Sequence, residues 1–329
     1  MQVFRGVGHP ALAGSAHALT IGNFDGVHRG HQAMLALLTN EARHRRLVSC
    51  VLTFEPHPRD FFAARAGRPE LAPPRVTTLR DKLAEIERCG IERVVVARFD
   101  ERLAAMPAQD FIDTVLRRGL GARYVLVGDD FSFGAGRAGN YGTLDAAGER
   151  AGFDVARMMS YEVHGLRVSS SAVREALAGG DMARAEALLG RPYAISGRAL
   201  HGRKLGRELG FRTLNLRFAH ARPAAGGIFV ARVHGLAPAP LRAVASLGVR
   251  PSVEDAGRVL LEVHCLDWPA ALGSEGGYGR LLRVELLHKL HDEQRYASME
   301  ALRAGIAADT AAAHAWWARQ DAVAGGTSR

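Results

Sequence analysis

Short apolar segments alternate with longer amphipathic segments in the first half of the chain, and this alternation limits the fold more than any other feature. The apolar segments are ALTI at 18–21, SCVLTF at 49–54, RVVVARF at 93–99, YVLVG at 124–128 and FDVARMM at 153–159. Two intervening segments, 31–46 and 79–90, repeat apolar residues at helical spacing. Alternating strands and helices predict a parallel sheet covered by helices on both faces. Because such sheets bind ligands at the carboxyl ends of their strands, the loops after the strands are the first candidates for a site.

The second half of the chain follows a different pattern, which begins after Val168. Two short helical segments at 170–180 and 181–190 precede β-type segments separated by glycine- and proline-rich turns, and an alanine-rich helix runs from about Ser298 to Arg319. The β-type segments lie at 193–199, 228–234, 241–247, 258–266 and 281–290. This spacing predicts an antiparallel barrel or sandwich with a C-terminal helix.

The length of the chain suits two domains. It has 329 residues, whereas single domains commonly contain ~100–200. The change of pattern places the boundary near Gly190. We therefore expect an α/β domain at 1–190 and a β-rich domain at 191–320, followed by a flexible tail at 321–329.

Composition and charge narrow the classes of partner. Lysine and arginine number 43 against 34 aspartate and glutamate residues, so the formal net charge of +9 favours anionic partners. The excess is spread along the chain and aromatics make up only 7%, which disfavours a nucleic-acid surface. No apolar stretch approaches the ~20 residues that span a bilayer, and the start MQVFR lacks the features of a secretory signal. We expect a cytoplasmic protein that binds neither membranes nor nucleic acid.

The first candidate site is the segment GNFDGVHRGH at 22–31, which follows the first predicted strand and enters a helix. Its glycines let the backbone approach a ligand closely, and the helix start supplies free N–H groups for a phosphate. His28 and His31 lie three residues apart, so both imidazoles can face one point. Two such donors suit the charge that develops on a five-coordinate α-phosphate. The alternative is that the histidines cap or pack against the helix.

A second phosphate-binding candidate is VSSSAVREAL at 168–177. Consecutive serines at a helix start cap the helix and offer hydroxyls to an anion, and Arg174 adds a fork of donors one turn later. A plain capping box would have the same appearance.

The segment GDDFSFGAGRAGN at 128–140 contains a formal GxGxxG pattern. A dinucleotide site is disfavoured, because five residues separate the strand end from the first glycine and because Asp129 and Asp130 would repel a pyrophosphate. We favour a loop that receives a flavin through aromatic and polar contacts; the alternative is a glycine-rich surface loop. The candidate flavin-binding residues are Asp130, Phe131, Phe133 and Arg137.

The β-rich half opens on HGRKLGRELGFRTLN at 201–215. Its glycines and cations suit an arch of N–H groups and positive charge over phosphates. Candidate ATP-binding residues in the arch are Gly202, Lys204, Gly206 and Arg207. Thr213 and Asn215 lie two residues apart, so on a strand they share one face. They would then direct a hydroxyl and an amide oxygen toward one metal ion. Without further information, a basic hairpin turn followed by an ordinary strand explains the same residues.

The segment LLEVHCLD at 260–267 has strand periodicity, with Glu262 and His264 on one face. A carboxylate near a phosphate site can accept a proton from an attacking hydroxyl. The alternative is a solvated outer face of a barrel.

Four motifs in the first half resemble the N-terminal domain of the bacterial bifunctional riboflavin kinase/FMN adenylyltransferase family, also called FAD synthetases. They are GNFDGVHRGH, LTFEPHP at 52–58, GDDFSFGAGRAGN and VSSSAVREAL, in this order. HxGH alone indicates only the nucleotidyltransferase superfamily. The resemblance implies a Rossmann-like HxGH nucleotidyltransferase domain in which His28, His31, Ser170 and Arg174 handle ATP phosphates. The other residues of this ATP site would be Gly22, Asn23, Phe24, Ser169 and Ser171, where Ser171 replaces the family's usual threonine.

The second half is similar to the riboflavin kinase domain of the same family. The motifs are GF-x-T-x-N, LGVRPS at 247–252, LEVHCLD at 261–267 and LRVELLHKLHDEQRY at 282–296. The resemblance implies a Greek-key barrel in which Thr213 and Asn215 bind Mg–ATP and Glu262 is the base that activates the ribityl 5′-hydroxyl. Arg212 and Leu214 replace the usual proline and alanine, which implies a less rigid loop beside the metal. GSEGGYG at 273–279 also departs from the usual compact acidic turn.

The resemblance implies two ATP-dependent reactions, phosphorylation of riboflavin to FMN and adenylylation of FMN to FAD with release of pyrophosphate. The expected ligands are riboflavin, FMN, FAD and ATP, with Mg²⁺ accompanying ATP. Two alternatives remain open. One is an HxGH transferase for another acceptor, with the barrel as a scaffold, which would bind no flavin. The other is a nucleic-acid-binding protein, which would show salt-dependent retention on DNA or RNA.

Overall fold

The computed structural model of the protein describes residues 1–163, 166–201, 211–249, 259–273 and 275–326. The chain divides into two compact units. The first unit comprises Met1–Pro73 and Lys82–Ser169, and the second comprises Pro74–Asp81 and Ser170–Arg329. The expected functional boundary near Gly190 stays a prediction.

The strands of the first unit form one sheet and two short hairpins. They are β1 Gln2–Arg5, β2 His17–Ile21, β3 Val48–Glu55, β4 Arg93–Arg98, β5 Ala122–Gly128, β6 Ser132–Phe133, β7 Gly139–Asn140, β8 Asp154–Met158, β9 Glu162–Val163 and β10 Leu166–Arg167. The six-stranded sheet has the order β1-β4-β3-β2-β5-β8, and all its neighbours are parallel. β6 pairs with β7, and β9 pairs with β10. The parallel sheet is as the sequence predicts, except that the edge strand β1 was not expected.

Helices cover both faces of this sheet. They are α1 Arg29–Arg45, α2 Pro58–Arg65, α3 Leu79–Arg88, α4 Glu101–Ala104, α5 Ala108–Asp110, a π-helix at Phe111–Gly119 and α6 Tyr141–Ala151. Leu19 and Ile21 of β2 share a buried cluster with Phe111 and Leu144 on one face. Thr20 points to the other face, where its hydroxyl donates to the Met34 sulfur of α1. The alternation along β2 therefore separates two helical layers.

The strand order reverses direction between β2 and β5. β3 and β4 lie on one side of β2, whereas β5 and β8 lie on the other. In open parallel sheets, the crevice at such a reversal is the usual ligand site, outside the carboxyl ends of the strands. The candidate segment 22–31 follows the end of β2, and the candidate segment 128–140 starts at Gly128, the last residue of β5. Both candidate segments therefore belong to this crevice.

The second unit contains a closed barrel. Its strands are β11 Tyr193–Leu200, β12 Thr213–Phe218, β13 Gly227–His234, β14 Leu241–Val249, β15 Val259–Cys265 and β16 Leu281–His291. The barrel order is β11-β12-β15-β14-β13-β16, and each described pair is antiparallel. The return of β12 to a place beside β15 is the Greek-key arrangement. The predicted fold class is confirmed, and of the two architectures left open it is the barrel.

In the described part of the second unit, the α-helices that accompany the barrel strands are α7 Ser170–Ala178, α8 Met182–Leu189 and α9 Met299–Gly326. α9 extends beyond the predicted end at Arg319, so the expected flexible tail at 321–329 begins within the helix. Ala313 and Trp317 of α9 pack against Val230 and Val244 of the barrel. No helix in the described ranges combines the length and the apolar character needed to cross a membrane.

A short segment from the first half of the sequence, Pro74–Asp81, belongs to the second unit. The Arg75 N–H donates to the Arg222 carbonyl over 2.8 Å, and the Ala224 N–H donates to the Arg75 carbonyl over 2.9 Å. The Asp81 carboxylate accepts the Ser196 N–H at 3.3 Å. Burial raises the pKa of Asp81, whereas hydrogen bonds from Thr78 and Ser196 oppose the increase. No local sequence pattern predicts this docking, since the partners of the segment lie far along the chain.

His291 connects the end of β16 to α9 and makes this contact pH-dependent. Its Nε2 donates to Asp309 Oδ1 at 2.7 Å and its Nδ1 to the Asp292 carbonyl at 2.7 Å. The hydrogen bond to Asp309 is the largest cause that raises the pKa of His291, and the nearby Asp292 carboxylate, itself paired with Lys289, adds to it.

Because the folded-state pKa is raised, protonated His291 stabilises the fold fully below its unfolded pKa of about 6.5, and the contribution is lost as pH rises through the folded-state pKa. We therefore expect the difference in unfolding free energy between wild type and His291→Gln to shrink as pH rises above about 6.5. Denaturant unfolding of both proteins across this range measures it. A difference that does not change with pH would contradict the assigned pair.

Candidate active sites

The two histidines of the HxGH segment are held together at the start of α1. His28 is the N-cap, and its Nδ1 accepts the His31 N–H at 3.3 Å. The two imidazoles stack with centroids 3.6 Å apart and planes 15° apart. Because Nδ1 of His28 accepts a hydrogen bond, the proton of the neutral ring lies on Nε2. The capping role considered for these histidines is therefore real for His28.

The backbone that leads into α1 is strained and buried. Phe24 has φ 50° and Val27 has φ 40°, while Gly26 has φ 90°. Left-handed backbone is uncommon outside glycine, and for a β-branched residue such as Val27 it is a true outlier. Both side chains are buried. Strain of this kind persists only where the surroundings impose it, and it concentrates at active sites.

Two polar side chains that the sequence analysis missed lie behind this loop. Lys82 Nζ donates to the Asn23 carbonyl and to Thr53 Oγ1, each at 3.2 Å. The Thr53 hydroxyl also donates to the Asn23 carbonyl at 3.3 Å. A sequence signal existed, because Lys82 lies four residues before the buried Ile86 and so falls on the apolar face of α3.

The loop after β5 forms the β6–β7 hairpin. Phe133 is only 8% exposed and packs between Phe111 and Phe131, with centroid distances of 5.6 and 5.3 Å. Phe131 is half-buried and presents more surface than Phe133. The Arg137 Nε donates to Ser132 Oγ at 2.7 Å. The predicted flavin contacts of these residues stay predictions, and the burial of Phe133 leaves little of its ring for a ligand.

The GxGxxG glycines have structural reasons to be glycine. Gly134 has φ 74°, and a Cβ there would lie 2.8 Å from the Ala108 backbone. A Cβ on Gly139 would lie 2.7 Å from the Phe133 ring. The dinucleotide fingerprint also needs a helix directly after the strand, whereas β5 is followed by a hairpin. The geometry therefore disfavours the dinucleotide site.

Arg167 provides a cation beside the two aspartates that follow β5. Its Nη2 lies 3.7 Å from Asp129 Oδ1 and 3.8 Å from Asp130 Oδ2. The Ser160 hydroxyl donates to Asp129 at 2.6 Å. This hydrogen bond, with a smaller contribution from Arg167, lowers the pKa of Asp129. The repulsion of phosphates expected from Asp129 and Asp130 is therefore reduced, and Arg167 becomes a further candidate that the sequence pattern does not indicate.

A group of four phenylalanines lies near the carboxyl ends of β3 and β4. Phe99 contacts Phe54, Phe61 and Phe62 with ring centroids 5.8, 5.4 and 5.7 Å away. Phe62 remains 48% exposed. The group adds exposed aromatic surface to the edge of the sheet where ligands bind, and sequence analysis did not single it out.

The serine-rich motif starts a helix as predicted, since α7 begins at Ser170. Ser169 belongs to the first compact unit, whereas Ser170, Ser171 and Arg174 belong to the second. Arg174 Nε donates to the Pro74 carbonyl at 2.7 Å, so the docked segment fixes one edge of the guanidinium. The predicted phosphate contacts of these residues stay predictions.

The candidate kinase residues meet on the outer face of the barrel. In the pairing of β12 with β15, Asn215 lies opposite Glu262 and Thr213 lies opposite His264. Directly opposed residues share a face, and the intervening Leu214, Leu216, Leu261 and Val263 are buried on the other face. The register sets Glu262 beside Asn215 on this face, and Glu262 is half-buried there.

Asn215 fits a cation ligand. It is 3% exposed, and its Oδ1 has no hydrogen-bond partner among the described residues. A buried amide oxygen in this state costs free energy unless a ligand satisfies it. A hard cation with oxygen ligands is such a ligand, and Thr213 Oγ1 on the same face is a second oxygen.

Arg212, which stands where the family usually has proline, makes side-chain contacts at the start of β12. Its guanidinium lies over the Trp268 ring at 4.7 Å, and its Nη1 donates to the Gly273 carbonyl at 2.8 Å. Trp268 Nε1 donates to the same carbonyl at 3.0 Å. The His264 ring donates from Nδ1 to the Arg212 carbonyl at 2.8 Å. These contacts fix the residue before Thr213 and tie the unusual turn at 273–279 to the start of β12.

Part of the predicted kinase site lies outside the described residues. This applies to the phosphate arch and to part of the LGVRPS motif. The residues concerned are Gly202, Lys204, Gly206, Arg207, Arg250, Pro251 and Ser252.

Comparisons with known proteins match both halves of the chain. A family model described as FAD synthetase matches residues 12–172, and one described as riboflavin kinase matches residues 189–317. The protein named bifunctional riboflavin kinase/FMN adenylyltransferase in Escherichia coli (strain K12) is 44% identical over 94% of this chain and 96% of its own length. Its namesake in Pseudomonas fluorescens is 44% identical over 96% of this chain and 97% of its own.

A more distant relative and a solved structure also match nearly the whole length of the chain. The protein of the same name in Haemophilus influenzae is 39% identical over 96% of this chain and 99% of its own. A crystal structure described as a macrolide-efflux protein from Streptococcus pneumoniae has a TM-score of 0.75 over 95% of this chain and 99% of that one, at 24% identity, and this likeness concerns the fold alone. From the two matched regions and the near-complete coverage of its relatives, the chain belongs to the bifunctional riboflavin kinase/FMN adenylyltransferase family.

Proposed function

We propose that this chain phosphorylates riboflavin to FMN with one ATP and adenylylates FMN to FAD with a second, releasing pyrophosphate. The observation that carries the proposal is the presence of both family regions in one chain. We assign the adenylyltransferase to residues 1–190 and the kinase to 191–320. Riboflavin, FMN, FAD and ATP are the partners, and the need for ATP is consistent with a cytoplasmic location. A nucleic-acid role has no support beyond the net charge of +9.

In the adenylyl transfer, a phosphate oxygen of FMN attacks the α-phosphorus of ATP. A new P–O bond forms as the bond to the β-phosphate breaks, and pyrophosphate leaves. His28 is assigned to donate Nε2–H to the α-phosphate as negative charge grows there, with His31 stacked beside it. The start of α1 also directs the positive end of the helix dipole toward the same region, since His28 is the cap of that helix. Fixing both histidines on one helix also limits the reorganisation needed during reaction.

In the kinase reaction, the ribityl 5′-hydroxyl attacks the γ-phosphorus and ADP leaves. Glu262 is assigned to accept the hydroxyl proton, and its pairing with Asn215 locates the base beside the metal candidate. A divalent metal, which we propose to be Mg²⁺, would be held by Asn215 and Thr213 and would neutralise charge on the ATP phosphates. Arg212, held by Trp268 and Gly273, keeps the start of β12 in position.

Asn215→Ala is expected to raise the Mg²⁺ concentration needed for half-maximal riboflavin phosphorylation by about tenfold or more, as losses in a metal site commonly do. The physical reason is the removal of a buried amide oxygen that no described side chain satisfies. Initial rates over a Mg²⁺ titration measure the effect, and FMN adenylylation by the same preparation is the control. Unchanged Mg²⁺ dependence of the kinase reaction would contradict the ligand assignment.

The proposal is tested by following labelled ATP. With riboflavin, a label on the γ-phosphate is expected in FMN. With FMN, a label on the α-phosphate is expected in FAD, and pyrophosphate should carry none of it. Label in neither flavin would overturn the proposal and favour a transferase for another acceptor.

A further inference from the structure

The HxGH loop needs an external restraint. Between β2 and α1, Phe24, Gly26 and Val27 all have positive φ values, and two of them are not glycine. Such residues relax toward ordinary backbone angles unless packing and hydrogen bonds prevent it. Packing is supplied by the burial of Phe24 and Val27. The position of His28 depends on this restraint, because His28 follows Val27 directly.

Lys82 and Thr53 supply the polar part of that restraint. Lys82 is 3% exposed, although lysine is almost never fully buried unless paired. Its ammonium donates to the Asn23 carbonyl and to Thr53 Oγ1, and Thr53 donates to the same carbonyl. Two donors from two different elements, α3 and β3, therefore converge on one carbonyl at the start of the strained loop.

A charged donor is suited to this task. Hydrogen bonds from an ionised group are roughly twice as strong as neutral ones, and they strengthen further in a buried site. Burying a lysine is also costly, so its presence here needs a compensating interaction. The contact with the Asn23 carbonyl is such an interaction, and it acts on the backbone that carries His28.

We propose that Lys82 is a positioning residue for adenylyl transfer, which together with Thr53 holds the Asn23 carbonyl and so sets the place of the stacked His28 and His31. This inference rests on the proposed role of those histidines. Neither Lys82 nor Thr53 is assigned a contact with substrate. Their effect passes through the backbone of the loop.

Lys82→Met keeps the length of the side chain and removes its donors. The expected result is a fall in kcat for FMN adenylylation of about 10- to 100-fold, because a small misplacement of catalytic groups has effects of this size. KM for FMN is expected to stay within about twofold of the wild-type value. The reason is that the residues displaced, His28 and His31, are assigned to stabilise the transition state. Riboflavin phosphorylation by the same preparation should be unchanged, which shows that the second unit is intact.

A matched pair at Thr53 protects the test against a misfolded Lys82 variant. Thr53→Ser keeps the hydroxyl and should retain kcat within about twofold, whereas Thr53→Val keeps the shape and should lower kcat about three- to tenfold. The double variant Lys82→Met/Thr53→Val should lose less than the product of the two single losses, because both act through one carbonyl. Parallel losses in Thr53→Ser and Thr53→Val would overturn the inference.

His28→Ala, measured in the same assay, separates this inference from the site assignment. If His28→Ala abolishes FAD formation while Lys82→Met and Thr53→Val retain full kcat, the positioning role is wrong and the histidine site stands. If His28→Ala retains FAD formation, the assignment of the histidines fails, and the positioning role fails with it.

Discussion

Replacement of His28 by alanine is expected to lower the rate of FAD formation from FMN by about 10³-fold, while riboflavin phosphorylation stays within about twofold. Loss of one preorganised donor to a transition-state oxygen commonly costs about 10²–10³ in kcat. The His28→Ala variant would lose that donor and also the Nδ1 acceptor that caps the His31 N–H. FAD formation is measured by liquid chromatography after incubation with FMN and saturating ATP. FMN formation is measured in the same way with riboflavin as the substrate.

The capping function of His28 requires its own control, and the chain offers one in His28→Asn. Asparagine is among the best N-cap residues, so it can accept the His31 N–H in place of Nδ1. It has no imidazole to serve the phosphate. We expect His28→Asn to lose FAD formation as severely as His28→Ala but to preserve the stability of α1. Near-normal activity in His28→Asn would mean that His28 serves only as a cap.

Replacement of Glu262 by glutamine is expected to produce the reciprocal result. Riboflavin phosphorylation should fall by about 10²–10⁴-fold, the usual range for a general base. Glutamine has nearly the same shape as glutamate but cannot accept the hydroxyl proton in this way. Adenylylation of supplied FMN should continue at the wild-type rate. The measurement is the initial rate of FMN formation from riboflavin at saturating ATP and Mg²⁺.

The two variants test each other. His28→Asn should accumulate FMN from riboflavin, whereas Glu262→Gln should convert only supplied FMN. Equal loss of both activities in either variant would contradict two independent sites.

The sequence pattern predicted most strands and helices because their apolar periodicity is local. β1 was not predicted because it has four residues and only Phe4 is buried, so no alternation could be recognised. The docking of Pro74–Asp81 was not predicted for another reason. Its backbone partners at 222–224 lie far along the chain, and no side-chain pattern records such bonds.

The candidate site residues also divide into those that local spacing indicates and those whose arrangement depends on contacts between distant segments. Spacing alone indicated that His28 and His31 lie together at the start of a helix, although His28 is the cap of α1 and not a residue within it. The register of Asn215 with Glu262 depends on two strands distant in sequence, so the sequence could predict only that each faced one side of its own strand. The contacts of Lys82 with Asn23 and of Arg167 with Asp129 form only when α3 and the segment before α7 are folded, so the sequence does not indicate these two candidates. The contribution of Arg212 could not be predicted, since it depends on Trp268 and Gly273.

The central claim is that one chain converts riboflavin to FAD by way of FMN. Its most direct test is a time course of the purified wild-type protein with riboflavin, ATP and Mg²⁺ in which riboflavin, FMN and FAD are separated by chromatography. The account predicts that FMN appears first, that FAD follows, and that both depend on ATP. Consumption of ATP with riboflavin left intact, and no FMN or FAD at any time, would contradict it.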